Sequence, residues 1–107
     1  MKTIPLQTAD ERLVRVFRAL GHPARIRIVR LFMEREWCIC GEVVEVLPLA
    51  QATVSQHLKV LKEAGIIIGE VDGPAVCYCL VPGALAAVHE AVAHLAADVG
   101  APVQCRP

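Results

Sequence analysis

Along Gln51–Gly65 the apolar residues Val54, Leu58 and Leu61 recur at i, i+4 and i+7, the repeat that gathers side chains on one side of a helix. Ser55, Lys59 and Lys62 repeat that spacing on another side, so a buried face runs beside a face of hydroxyl and ammonium donors. The donor face suits contact with phosphates and base edges, although a solvated amphipathic helix carries the same pattern. Gly65 supplies the stop, because glycine takes the left-handed conformation that ends helices.

The same reading extends to both sides. Thr8 and Glu11 have the spacing of a capping box and predict a helix from about Ala9 to Leu20, with Leu13, Val16, Phe17 and Leu20 on one face. Gly21-His22-Pro23 breaks it, and Pro23 fits the first turn of a second helix reaching about Arg35. Ile28, Leu31 and Phe32 face inward there, while Arg25, Arg27 and Arg30 take the outer side, as phosphate contacts or as a soluble surface, the latter favoured for any single one. Glu36–Cys40 follows, with Ile39 the one aliphatic between two thiols. Gly41–Leu47 reads as a short third helix and Pro48-Leu49-Ala50 as the turn before Gln51, which together make a helix-turn-helix.

After Gly65, Ile66–Val71 is a β-branched strand, Asp72-Gly73-Pro74 a turn and Ala75–Val81 a second strand, so the three form a hairpin, the wing of a winged helix. A last helix spans about Pro82–Val99, where Leu85, Val88, Val92, Leu95 and Val99 follow 3-4-3-4 spacing. Such a stripe serves either its own domain or a partner helix, and the small domain favours a homodimer. The expected fold class is mainly α with a small β-hairpin, a winged helix-turn-helix. Its order is two helices, a short strand, two helices, two strands and a closing helix. One domain spans 1–107, with an ordered core over 8–99 and a flexible tail over 100–107.

Composition narrows the function. An apolar content of 55% excludes disorder, and no apolar run approaches the roughly 20 residues that cross a bilayer. The opening MKTIPLQTADE lacks a secretory apolar core, so a cytoplasmic protein is expected. Net charge is zero but uneven. Residues 1–62 carry ten Lys or Arg against six acids, whereas 63–107 carry one Arg against five. A basic half can present a DNA-binding face. Five cysteines include two Cys-x-Cys pairs, Cys38/Cys40 and Cys77/Cys79, which in a reducing compartment point to metal or redox chemistry more than to a disulfide framework. No Cys-x-x-Cys, glycine-rich nucleotide loop or catalytic Ser/His/Asp grouping supports an enzyme.

Four stretches, ALGHPARIRIVRLF, EWCICGEV, QATVSQHLKVLKEAGII and VCYCLVP, cover most of residues 18–82 and resemble the ArsR/SmtB family of bacterial metal-responsive repressors, in particular its arsenic-sensing branch. The resemblance implies a homodimer joined through the first and last helices, which binds palindromic operator DNA and releases it when an inducer binds. It places the DNA contacts on Gln51, Thr53, Ser55, Gln56, His57 and Lys59. Two features depart from the family pattern. Ala50 stands where a serine usually caps the helix, and Glu70-Val71-Asp72-Gly73-Pro74-Ala75 makes an acidic wing where a basic tip is usual. The helix and the N-terminal arginines are therefore expected to supply most of the DNA affinity.

Cys38 and Cys40 match the arsenic sensors' cysteine pair, but the position of a third ligand is Val43. Soft thiolates select As(III), Sb(III), Cd(II), Pb(II) or Zn(II) over hard cations. In a winged helix the segment before the third helix pairs with the second wing strand. With Ile39 and Val76, Tyr78 and Leu80 turned inward, Cys38, Cys40, Cys77 and Cys79 then share the outer face. These four are the expected inducer site, with Cys105 an optional ligand. Cysteine as a small apolar strand residue is the plainer alternative, and oxidation of the same pairs as a thiol-redox switch is the other. His89 and His94, with Glu90 and Asp98, are read as solvated or interfacial, because five-residue spacing separates the two rings on a helix.

Overall fold

The computed structural model describes residues 8–40, 47–72 and 75–97. Helix α1 (Thr8–Leu20) and helix α2 (Pro23–Glu34) lead into the three-residue strand β1 (Cys38–Cys40). Helix α3 (Gln51–Glu63) is followed by strands β2 (Ile67–Asp72) and β3 (Ala75–Leu80) and by helix α4 (Pro82–Ala97). Four helices thus stand among the described residues where five are expected. The helix predicted over Gly41–Leu47 lies outside them except for Leu47, and Gly73, Pro74, Val99 and the predicted tail also lie outside them.

The core gathers where the inner faces of these elements meet. Ile28 and Phe32 of α2, Val54 and Leu61 of α3, and Ile66 beside β2 are wholly buried, and Val16, Ala19, Ile39 and Leu80 close around them. Helix α1 differs from its expected inner face, since Phe17 is 41% exposed and Ala19 is buried in its place. Arg25 reaches over the end of α1 and donates to the carbonyls of Arg18 (3.0 Å) and Ala19 (3.2 Å).

Helix α3 begins at Gln51 although Ala50 offers no side-chain cap, and its first internal bond runs from the Val54 amide to the Ala50 carbonyl at 3.0 Å. Its end is better secured. Gly65 has φ +79°, its amide donates to Lys62 and the Ile66 amide donates to Leu61, the paired bonds of a Schellman turn. Ile66 and Leu61 are both buried, so the same turn ties helix to sheet.

The strands form one antiparallel sheet in the order β1-β3-β2. Helix α2 ends without a glycine, and Glu36 (φ 58°) and Trp37 (φ 78°) both adopt the left-handed conformation, at about 1–2 kcal/mol each for residues with a Cβ. Two bonds compensate. The Trp37 amide donates to Phe32 and the Trp37 carbonyl accepts from Leu80, both at 2.8 Å, which fixes the entry of β1 onto β3. Tyr78 lies across from Gly69, and its ring fills the space a Cβ there would need, approaching within 3.0 Å. Val76, expected to face inward with Tyr78 and Leu80, is exposed toward the wing end, beyond the reach of the helices. Helix α4 packs Leu85 and Val88 against the core but leaves Val92 and Leu95 exposed, so the heptad stripe does not serve its own domain along its whole length.

Candidate nucleic-acid interface and thiol cluster

Because α3 buries Val54, Leu58 and Leu61, helical periodicity turns its remaining faces outward. Gln51, Thr53, Ser55, Gln56 and Lys59 are exposed, and His57 is half-buried at the edge of the helix. Amides, hydroxyls and one ammonium therefore stand along one helix, the donor and acceptor types that read base edges and hold phosphates.

His57 is held from behind by α2. Arg25 donates from Nε to His57 Nδ1 (3.4 Å), so the neutral ring carries its proton on Nε2. The His22 ring lies 4.7 Å away, centre to centre, while its Nδ1 caps α2 by accepting from the Ala24 amide. Burial, then His22, then Arg25 push the His57 pKa below its ordinary 6.5. The unfolded chain therefore takes up a proton that the folded chain resists. The resulting stability is full above pH 6.5 and is lost as pH falls through the lower folded value. Urea midpoints measured from pH 8 to pH 5 are expected to fall below about 6.5, and less steeply in His57→Gln.

Arg25 is a correction to the expected soluble surface. It is half-buried and bonds both α1 and α3, whereas Arg27 pairs only with Glu34 (3.6 Å) in the open and Arg30 is exposed. The signal lay in its spacing, since Arg25 stands at i to Ile28, Val29 and Phe32 at i+3, i+4 and i+7, on the inner stripe.

The cysteines meet across the β1–β3 ladder, in the register Cys38 to Cys79, Ile39 to Tyr78 and Cys40 to Cys77. Ile39 and Leu80 point into the core, so alternation sets Cys38, Cys77 and Cys79 on the opposite face, with Cys40 at the matching position of its strand. Ile68 and Glu70, across from Cys79 and Cys77 on β2, share that face. Cys38 and Cys79 have Cα atoms 4.1 Å apart, the close approach of a non-hydrogen-bonded pair.

At this position the structure departs from the expected free thiols, because Cys38 and Cys79 form a disulfide and Cys77 is disulfide-bonded as well. Directly opposed cross-strand residues bring sulfur onto sulfur, which spacing along the sequence does not reveal. Among the described residues no group of three His, Cys, Asp or Glu side chains is gathered to hold a metal ion. Once reduced, the same face presents soft sulfur donors beside the Glu70 position of β2, and thiolates of this kind suit a thiophilic ion. Val43 and Cys105 lie outside the described residues. On α4, His94 pairs with Glu90 at 3.8 Å in the open and His89 is exposed, while Asp98 lies outside the described residues.

Comparison with known proteins places this arrangement. Residues 22–68 match the model of the bacterial regulatory protein, arsR family. The HTH-type transcriptional repressor SmtB of Mycobacterium tuberculosis is 45% identical over 84 residues, 78% of this chain, which spans 62% of that protein's length. The biofilm growth-associated repressor of Agrobacterium fabrum is 33% identical over 92 residues, covering 83% of this chain and 78% of that one. In structure, the homodimeric winged helix-turn-helix DNA-binding domain Mb0332 of Mycobacterium bovis superposes with a TM-score of 0.66 at 20% identity, covering 100% of this chain and 99% of that one. These relatives are regulators and not enzymes. With its four described helices, three-stranded sheet and outward-facing α3, the chain belongs to the arsR family of bacterial regulatory proteins.

Proposed function

We propose that this chain is a cytoplasmic transcriptional repressor that binds operator DNA as a homodimer and is released by a thiophilic metalloid, As(III) or Sb(III), with Cd(II), Pb(II) or Zn(II) as alternative inducers. The observation that carries the inducer reading is the β1–β3 register, which faces two Cys-x-Cys pairs across one ladder. Cys38, Cys40, Cys77 and Cys79 would hold the ion, and the chemistry it supplies is a cross-link between thiolates of two strands.

Gln51, Thr53, Ser55, Gln56, His57 and Lys59 are the residues assigned to the operator, supported by their outward placement on α3. Homodimer formation draws on Val14 and Phe17 of α1 and Val92 and Leu95 of α4, large apolar side chains exposed on the two helices whose cores otherwise point inward. The homodimeric Mb0332 domain shares this fold. Strand β1 enters directly from α2, and α2 holds His57 through Arg25, so a change in the β1 sulfurs acts on the end of the helix that orients the reader.

The test is a gel-shift titration of the reduced protein with arsenite, on a duplex taken from upstream of its own coding region. Operator affinity is expected to fall about 5- to 150-fold in the wild type, the range of ordinary coupling energies. Cys38→Ser and Cys77→Ser are expected to stay bound. Equal release of all three proteins would defeat the assignment of the thiols.

A further inference from the structure

The four cysteines occupy opposed positions in the register of one ladder, Cys38 across from Cys79 and Cys40 across from Cys77. Cys38 is bonded to Cys79, Cys77 is bonded too, and Cys40 is the residue across the ladder from Cys77. The backbone that brings Cys38 to Cys79 is fixed independently of the sulfurs. Ile39 and Leu80 are buried on the other face, and the Leu80 amide donates to Trp37 at 2.8 Å. Bridging therefore needs no strand to move. With the bridge in place, α3 remains complete and its polar side chains remain exposed.

We propose that the thiol face is a redox gate on metalloid sensing: a hydroperoxide converts the couples to disulfides, and the oxidised protein keeps its DNA-reading helix while losing the sulfurs that an inducer needs. The proposal rests on the reading of these thiols as the inducer site. Cys38 is exposed and Cys79 half-buried, which makes Cys38 the sulfur that meets the oxidant. Its thiolate attacks one peroxide oxygen, the O–O bond breaks, hydroxide departs and a sulfenic acid remains. The Cys79 thiolate then attacks that sulfur, the S–O bond breaks and a second hydroxide leaves. With the two thiol protons counted, two thiols and one hydrogen peroxide give one disulfide and two waters. The sulfurs lose two electrons and the peroxide gains them.

A sulfur in a disulfide is not a thiolate and does not ligate as one. The gate therefore has a direction. Oxidation should make the repressor blind to inducer instead of releasing it, the opposite of a switch in which oxidation itself frees the DNA.

The experiment uses the full chain, reduced or treated with one equivalent of hydrogen peroxide per cysteine pair, and follows intact mass with arsenite as the probe. The oxidised protein is expected to lose two hydrogens per bridge, to yield a peptide joining Cys38 to Cys79, and to take up no arsenic until a reductant is added. On the operator duplex it is expected to stay bound at arsenite concentrations that weaken the reduced protein 5- to 150-fold. Four results would overturn the gate. If the oxidised protein takes up arsenite as fully as the reduced one, or leaves the operator on oxidation alone, the gate fails while the inducer site stands. If the reduced protein takes up none, the inducer reading fails and the gate with it. Cys79→Ser, which keeps Cys38 but removes its partner, should yield no Cys38-linked peptide after peroxide. Sulfinic or sulfonic acid at Cys38 in the wild type, without the cross-link, would also overturn it.

Discussion

Phe32→Ala is expected to cost about 3–5 kcal/mol of folding stability, the range for removing a large aromatic from a packed core. Phe32 is wholly buried at the C-terminal end of α2, where α2 meets β1 and the rest of the core. Its own carbonyl accepts from the amides of Arg35 (3.2 Å) and Trp37 (2.8 Å), the bonds that turn the chain from helix into strand. A domain of this size has only about 5–15 kcal/mol in total, so the variant should lie close to unfolding at physiological temperature. Urea denaturation followed by far-ultraviolet circular dichroism measures it, and a loss under about 1 kcal/mol would mean that neighbouring side chains collapse into the space.

Gln56→Ala is expected to have the other large effect, on DNA and not on folding. The side chain is exposed on α3, so stability should barely change. A side chain that reads a base edge contributes about 1–3 kcal/mol of affinity and relaxes preference at its position. In a two-fold dimer the loss occurs in both half-sites, giving about 2–6 kcal/mol in all. Lys59→Ala provides the contrast. As a phosphate contact it should weaken binding to all sequences alike and reduce the salt slope by about 1 per subunit. Fluorescence anisotropy over a salt series separates the two. A Gln56→Ala protein with unchanged affinity and unchanged sequence preference would remove Gln56 from the reading face.

How far the sequence could be read depended on how each feature is encoded. Helix α3 was legible because its buried and polar stripes are both periodic and Gly65 marks its end. The neighbourhood of β1 and β3 was legible because a winged helix pairs the segment before its third helix with the second wing strand, and a Cys-x-Cys segment places two sulfurs on one side of any strand it forms. The covalent state of those sulfurs was not, because alternation fixes a face and says nothing about which residue stands across the ladder at bonding distance. Arg25 is hard to place because charge argues for the surface and spacing for the inner stripe, and a guanidinium on a long side chain can satisfy both by donating to the Arg18 and Ala19 carbonyls and to His57 Nδ1. Phe17 shares the spacing of Leu13, Val16 and Leu20, yet it is 41% exposed while Ala19, off that stripe, is buried. The stripe on α4 could not be divided by pattern alone. Leu85 and Val88 meet the core, whereas Leu95 is 65% exposed, and the repeat is the same for all of them.

Trp37 is the only tryptophan in the chain. It sits immediately before Cys38, 42% exposed, on a backbone held in the left-handed conformation by bonds to Phe32 and Leu80. The protein thus carries its own optical probe at the point where sulfur chemistry happens. Indole emission excited near its red edge reports on one site only, with no label to attach and no other ring of its kind to subtract. Oxidation, reduction and ion uptake at Cys38 can each be timed by stopped-flow in the unmodified protein, before any DNA is added.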